Sequence, residues 1–234
     1  MKLFSKKEAL MYERPRDASI SQVFKESDTN TKISYLVFGF GNIVNKQIVR
    51  GLIFLAIEIL YFIYLFSFGI QSLVDFTTLG TVEQGQVYNE ALGIYEYSAG
   101  DDSMLCLLYG VITIVLTAGA IFVAFMSAKS AFCTQKRKEK KQPIPTFLDD
   151  IRSLKEENLH ALLMSLPITG ILCFTIVPLL FMILIAFTSY DHEHQPPGNL
   201  FSWVGLSNFS AMFSQGGKLA GTFWPVLGWT LIWA

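Results

Sequence analysis

Lys and Arg are absent from Gly51 to Ser127, and after Lys155 the chain has only Lys218. Of the 18 basic residues, 9 lie in Met1–Arg50 and 8 in Lys129–Lys155, and long apolar runs fill the gaps between the blocks. Spanning helices keep basic residues on the cytoplasmic side, so the partition predicts a membrane protein with both rich blocks inside and both poor loops outside. The runs Gly51–Val74, Met104–Met126 and Leu162–Phe187 have 24, 23 and 26 residues. A hydrocarbon core of roughly 30 Å needs about 20 helical residues, so each run is long enough to cross. All three are apolar all round, whereas a soluble core helix keeps a polar face. The first run follows a long polar stretch and exceeds the about 7–15 apolar residues of a signal peptide, so it reads as a retained span.

A fourth run, Thr222–Ala234, has 13 residues. At about 1.5 Å per residue it covers about 20 Å, which reads as the start of another span and the chain as the front portion of a longer protein. The expected fold is an all-α integral membrane protein: three complete transmembrane helices plus the start of a fourth, with the N-terminus cytoplasmic. The expected location is a membrane, crossed several times.

The segments follow in order. Residues 1–32 are polar, mixed in charge and poor in apolar groups, and read as a mobile cytoplasmic tail. Residues 33–50 (ISYLVFGFGNIVNKQIVR) read as a short interfacial or re-entrant segment, apolar but broken by Gly39, Gly41, Asn42 and Asn45 and anchored by Lys46 and Arg50. Residues 51–126 form a two-span hairpin whose outer loop, 75–103, carries six acids and no base. Glycines at 80, 85, 93 and 100 divide that loop into short stretches able to form a small hairpin or cap. Residues 127–161 form a basic cytoplasmic loop holding QKRKEKK and an amphipathic helix. Thr146 caps that helix with Asp149 in its first turn, and Phe147, Ile151, Leu154 and Leu159 follow at helical spacing. Residues 162–234 open the next part of the membrane domain.

Candidate chemistry is sparse. Glu58 lies within the first span, where an acid is a functional candidate for proton or ion coupling or else packs against protein. Pro167 and Pro178, with Gly170 between them, mark helix kinks in the third span. Ala120, Ala124 and Ala128 form a small-residue packing stripe. The sequence DHEHQPPG reads as a solvated turn rather than a metal site, and Gly39-Phe-Gly41 and Gly216-Gly217-Lys218 lack the further residues of nucleotide fingerprints. The three cysteines have no zinc or disulfide spacing. The basic run beside a span is explained by topology and anionic lipid, so membrane lipid is an expected partner and nucleic acid is not. No catalytic, cofactor-binding or metal residue is assigned, and no cofactor is expected.

The stretch HALLMSLPITGILCFTIVPLLFMILIAFTSYD, then NLFSWVGLSNFSAMF and FWPVLGWTLIWA, resembles the start of the membrane domain of binding-protein-dependent sugar importers. The strongest matches are Pro167, Pro178, Trp203-Val204-Gly205-Leu206 and Asn208-Phe209. The two preceding spans and GFGNIVNKQIVRGLIFL are similar to the larger permease of maltose/maltodextrin importers with a short outer loop. The resemblance, from Ile33 to Ala234, implies a permease subunit of an ABC importer and not an enzyme. Its implied partners are a second permease, a cytoplasmic ATPase dimer and an extracytoplasmic sugar-binding protein. Most sugar-lining residues and the ATPase-coupling loop are then expected beyond Ala234. Two rival readings remain, a small multi-pass regulator or assembly protein and an ion-coupled secondary transporter using Glu58.

Overall fold

In the computed structural model the described residues are 20–90, 92–156, 158–196, 198–213 and 218–233. They are mostly helical, and three helices are long and apolar enough to cross a membrane: Ile48–Thr78, Ser103–Glu139 and Leu159–Ile185. We refer to these as the first, second and third spans. Burial separates them. Of the most apolar stretch of each, 11% is buried in the first, 28% in the second and 0% in the third. Phe174 (85% exposed) and Leu166 (83%) stand out from the third span with no protein over them. Apolar surface on that scale calls for an apolar solvent, which a bilayer supplies.

Two of the helices hold local irregularities. The first span widens into a π-turn at Leu65–Gly69. The third does so at Leu172–Ile176, immediately before Pro178 at the start of the next regular turn. Proline has no N–H to give, and a wider turn re-pairs the carbonyls it leaves. Pro167 sits inside regular helix Leu159–Ile171.

The structure differs from the sequence expectation in three places. Part of the expected tail, residues 1–19, lies outside the described residues, but residues 20–32 are not a tail. They form the helices Ile20–Glu26 and Thr29–Ile33, with Val23 and Thr31 fully buried. Hydrogen bonds from polar groups supply the attachment that their few apolar residues could not. The basic loop is also shorter than expected, because the second span continues as helix through QKRKE to Glu139. No Gly or Pro interrupts that stretch, Lys, Arg and Glu are good helix formers, and a basic last turn suits the negative end of the helix dipole. Lys141, at φ 55°, ends it. Finally, the outer loop breaks the all-α expectation with an antiparallel hairpin, β1 Gly85–Asn89 and β2 Ile94–Ser98, in which Tyr88 pairs with Tyr95.

The chain divides into two compact units. One comprises Met1–Phe68 with Ile114–Gly170, the other Gly69–Thr113 with Ile171–Ala234. The second has an apolar core of Leu79, Leu107 and Phe201, with Phe76, Met104, Phe181, Leu184, Ile185 and Trp203 packed on it. The first is held mainly by buried polar groups, described next.

Candidate functional site

Residues 34–47 join the helix Thr29–Ile33 to the first span. They form a tight coil with one short helix, Phe40–Val44, whose start at Gly39 has a left-handed backbone (φ 78°). A side chain on Gly39 would collide with the Gly51 carbonyl, and one on Gly41 with the Ala131 methyl and Ser34 hydroxyl. The pair Gly39-Phe-Gly41 is therefore a close-approach motif, letting the coil touch the first span on one side and the second on the other.

Glu58 explains how the coil is held. It is only 6% exposed, and its Oε2 accepts the Phe38 N–H at 2.8 Å. The next amide, Gly39 N–H, donates to Ser127 Oγ at 2.7 Å, and Gly41 N–H donates to Ser34 Oγ at 2.7 Å. Phe38 and Gly39 belong to a turn and Gly41 to the first turn of Phe40–Val44, so none of these N–H groups has a partner within a helix. An intramembrane carboxylate thus finds its partner in a peptide N–H, not in a basic side chain. Pro167 and Pro178 are not drawn into this cluster.

A second tier joins the coil to the loop before the third span. Asn42 Nδ2 donates to Gln47 Oε1 at 2.9 Å and to Ser130 Oγ at 2.8 Å, and Thr134 Oγ1 donates to the same Gln47 oxygen at 2.8 Å. Gln47 Nε2 then donates to the Pro145 carbonyl at 3.2 Å. Arg50 donates to Ser130 Oγ at 3.3 Å and forms an ion pair with Asp150 at 2.8 Å. Gln135 Oε1 takes the Thr31 hydroxyl at 2.8 Å and the Asp28 N–H at 3.0 Å, which fastens residues 28–31 to the same helix. Asn42 Oδ1 is buried without a hydrogen-bond partner among the described residues. Chemically the cluster is a latch. Its members are amides, hydroxyls, the Glu58 carboxyl and the Arg50–Asp150 ion pair, which bind one another, and the arrangement offers no nucleophile with its base.

Sequence reasoning singled out Glu58 but missed Asn42, Gln47, Ser127, Ser130, Thr134 and Gln135. Ser127, Ser130 and Thr134 recur at i, i+3 and i+7 with Ala131 among them, a small polar face on one side of a helix. That spacing was the available signal.

In the second unit, the Trp-Val-Gly-Leu-x-Asn-Phe stretch closes the end of the third span. The Phe187 carbonyl accepts the N–H groups of Val204 at 2.9 Å and Gly205 at 3.0 Å, and Asn208 Nδ2 donates to the carbonyls of Ala186 at 3.0 Å and Thr188 at 2.8 Å. These carbonyls belong to the C-cap Ala186 and the two residues after it, where no helix N–H reaches them. Gly205 has the positive φ, 61°, that the reversal needs. Phe209 packs on Phe187 with ring centroids 5.1 Å apart. Trp203 Nε1 donates to the Phe76 carbonyl at 3.0 Å, and its ring meets Phe76 edge-on at 5.4 Å. Ser103 Oγ ties this region further, accepting the Phe201 N–H and donating to the Leu79 carbonyl. In the Asp191–His194 turn, Asp191 Oδ1 accepts the Glu193 and His194 N–H groups and faces His194 Nδ1 at 2.8 Å. The His194 side chain, then its backbone amide, holds the Asp191 carboxyl below its usual range.

The chain is similar to the maltodextrin transport system permease protein MalC of Streptococcus pneumoniae, 29% identical over 211 residues, 90% of this chain and 45% of that protein. It is 31% identical over 199 residues to the maltodextrin permease MdxF of Bacillus subtilis, covering 85% of this chain and 42% of MdxF. A galactooligosaccharide permease of the same organism, GanP, is 27% identical over 199 residues, 85% of this chain and 44% of its own length. The chain thus spans less than half the length of the curated relatives it matches. No family model matches it, and no solved structure does.

Proposed function

We propose, from its kinship with ABC sugar permeases of the maltodextrin type, that this chain is the N-terminal portion of the membrane subunit of an ATP-driven oligosaccharide importer. The observation that carries the reading is similarity along 90% of the chain to a maltodextrin permease. That similarity takes in all three spans. In this reading the N-terminus is cytoplasmic, which the basic blocks ending at Arg50 and beginning after Ser127 support. The protein lies in a bacterial cytoplasmic membrane. A second permease completes the path, an ATPase pair on the cytoplasmic side hydrolyses ATP, and a binding protein delivers the sugar outside. This subunit then needs no catalytic residues of its own. Within it, the latch fixes the entry of the first span against the second and the loop that leads to the third. The carboxylate of Glu58 is spent on the Phe38 N–H, which favours an anchoring role over ion coupling.

The test is uptake. Inactivating the gene that contains this sequence in its own host should abolish accumulation of labelled maltotriose, and complementation with the whole gene should restore it. Loss of galacto-oligosaccharide uptake with maltotriose uptake intact would reassign the sugar. If neither sugar's uptake changes, the importer reading is wrong.

A further inference from the structure

The helix Phe147–Glu156 has one face that the described residues of its unit leave exposed. Leu148 is 75% exposed, and Phe147 and Ile151 beside it are exposed as well. Positions 148, 152 and 155 share a stripe at i, i+4 and i+7, so Arg152 and Lys155, both exposed, flank Leu148. Asp149 and Asp150 lie off that stripe, and Glu156, one turn beyond Arg152, sits at its polar edge. Asp149 turns back to accept the N–H and hydroxyl of Thr146, and Asp150 is neutralised by Arg50. The exposed face is therefore apolar with a net positive rim, Arg152 and Lys155 against Glu156, while Asp149 and Asp150 are engaged elsewhere.

Position then limits what that face can meet. Glu156 is three residues before Leu159, where the third span begins, and three residues of chain reach at most about 11 Å. At the other end, Asp150 is bonded to Arg50 in the first turn of the first span, and the preceding Pro145 to Gln47. Both ends of the helix are thus tethered to the ends of spans, at the level where hydrocarbon gives way to headgroups. An amphipathic helix at that depth, with cations beside its apolar stripe, matches the chemistry of an anionic bilayer surface.

We propose that Phe147–Glu156 is a lipid-binding helix. It lies along the membrane surface with Phe147, Leu148 and Ile151 at the acyl–headgroup boundary and Arg152 and Lys155 on anionic headgroups. This requires the spans to cross a membrane but does not depend on which solute is carried.

The experiment uses the full-length subunit, with Cys106, Cys133 and Cys173 replaced by alanine, in nanodiscs of phosphatidylcholine with or without phosphatidylglycerol. An environment-sensitive dye is attached through Leu148→Cys or, at the polar edge, Glu156→Cys. The dye at 148 should be quenched by spin-labelled lipid at about 5–10 Å depth and shielded from aqueous iodide, with the reverse pattern at 156. Shielding at 148 should increase with phosphatidylglycerol, weaken in high salt, and fall in Arg152→Glu/Lys155→Glu. Both substituted side chains are exposed, so the variant should elute and unfold like its parent. Equal iodide quenching at 148 and 156 in phosphatidylglycerol discs would overturn the proposal. So would shielding at 148 that arises only when the ATPase is added, which would assign the face to a protein partner.

Discussion

The two compact units solve the same packing problem by different means. Around the coil at 34–47, closure is achieved with hydrogen bonds. Side chains from two long helices reach into a segment of irregular backbone and satisfy its amides, as Glu58 does for Phe38 and Ser127 for Gly39. Around Trp203, closure is achieved with rings and aliphatic groups, Phe76, Leu79, Leu107 and Phe201 among them. The contrast follows from what each must hold. A coil with unpaired peptide groups needs donors and acceptors, and it leaves little apolar area to bury. The ends of the spans and the short helix after Trp203 already have paired interiors, so only their last carbonyls need polar partners and the remaining surface is apolar.

If that division is right, truncating the aromatic anchor should cost most. Trp203→Ala removes the edge-on packing against Phe76 and the indole N–H that serves its carbonyl. Buried Trp→Ala changes cost about 3–5 kcal/mol, and the partial exposure of Trp203 puts it near 3 kcal/mol. Thermal unfolding of the detergent-solubilised protein reads this loss. A change below about 1 kcal/mol would mean that the apolar cluster is not what closes this unit.

The polar unit should fail more selectively. Glu58→Leu is apolar and fits a span, yet it leaves the Phe38 N–H buried without an acceptor, a loss of about 1–3 kcal/mol. Glu58→Gln keeps an acceptor in place and should unfold close to wild type. Measuring uptake in the same variants sharpens the comparison. Anchoring predicts that transport follows stability, so that Gln is active and Leu is impaired. A Gln variant that is stable but inactive would instead make the carboxylate a coupling group.

What was legible in the sequence divides along the same line. Spans announce themselves through length and through exclusion of Lys and Arg, and both are local properties of the chain. The acidic loop's glycine spacing foreshadowed a hairpin, and the Trp203–Phe209 stretch was conspicuous as a motif before its work as a helix-end cap was visible. The latch was harder to see because its pairs are distant in sequence. Gly39 and Ser127 are 88 residues apart, as are Asn42 and Ser130. Nothing near Gly39 says that its missing side chain makes room for Gly51. Residues 20–32 were misread for a related reason. Their attachment runs through Thr31 and the Asp28 amide to Gln135, and an apolar count does not register such bonds.

The smallest expected effect lies in the outer loop, where one carboxylate does what several residues do in the latch. Asp101 Oδ2 accepts the N–H groups of Thr81 at 2.7 Å and Val82 at 2.9 Å, while its own N–H returns to the Val82 carbonyl at 2.7 Å. The Thr81 and then the Val82 amide hold its carboxyl below its usual value of 3.8. A native pKa lowered in this way adds stability that is present above the unfolded value. That stability fades as pH falls below 3.8 toward the lowered native value. The group is largely exposed, so solvent screening keeps the effect small and local to the base of the hairpin. Hydrogen exchange, corrected for intrinsic rates, should show protection of the Thr81 and Val82 amides dropping in that acid range. Asp101→Asn should show weaker protection with no such step. If wild type and variant follow the same profile, the turn is held by its backbone alone, and the polar strategy of the first unit has no counterpart in this loop.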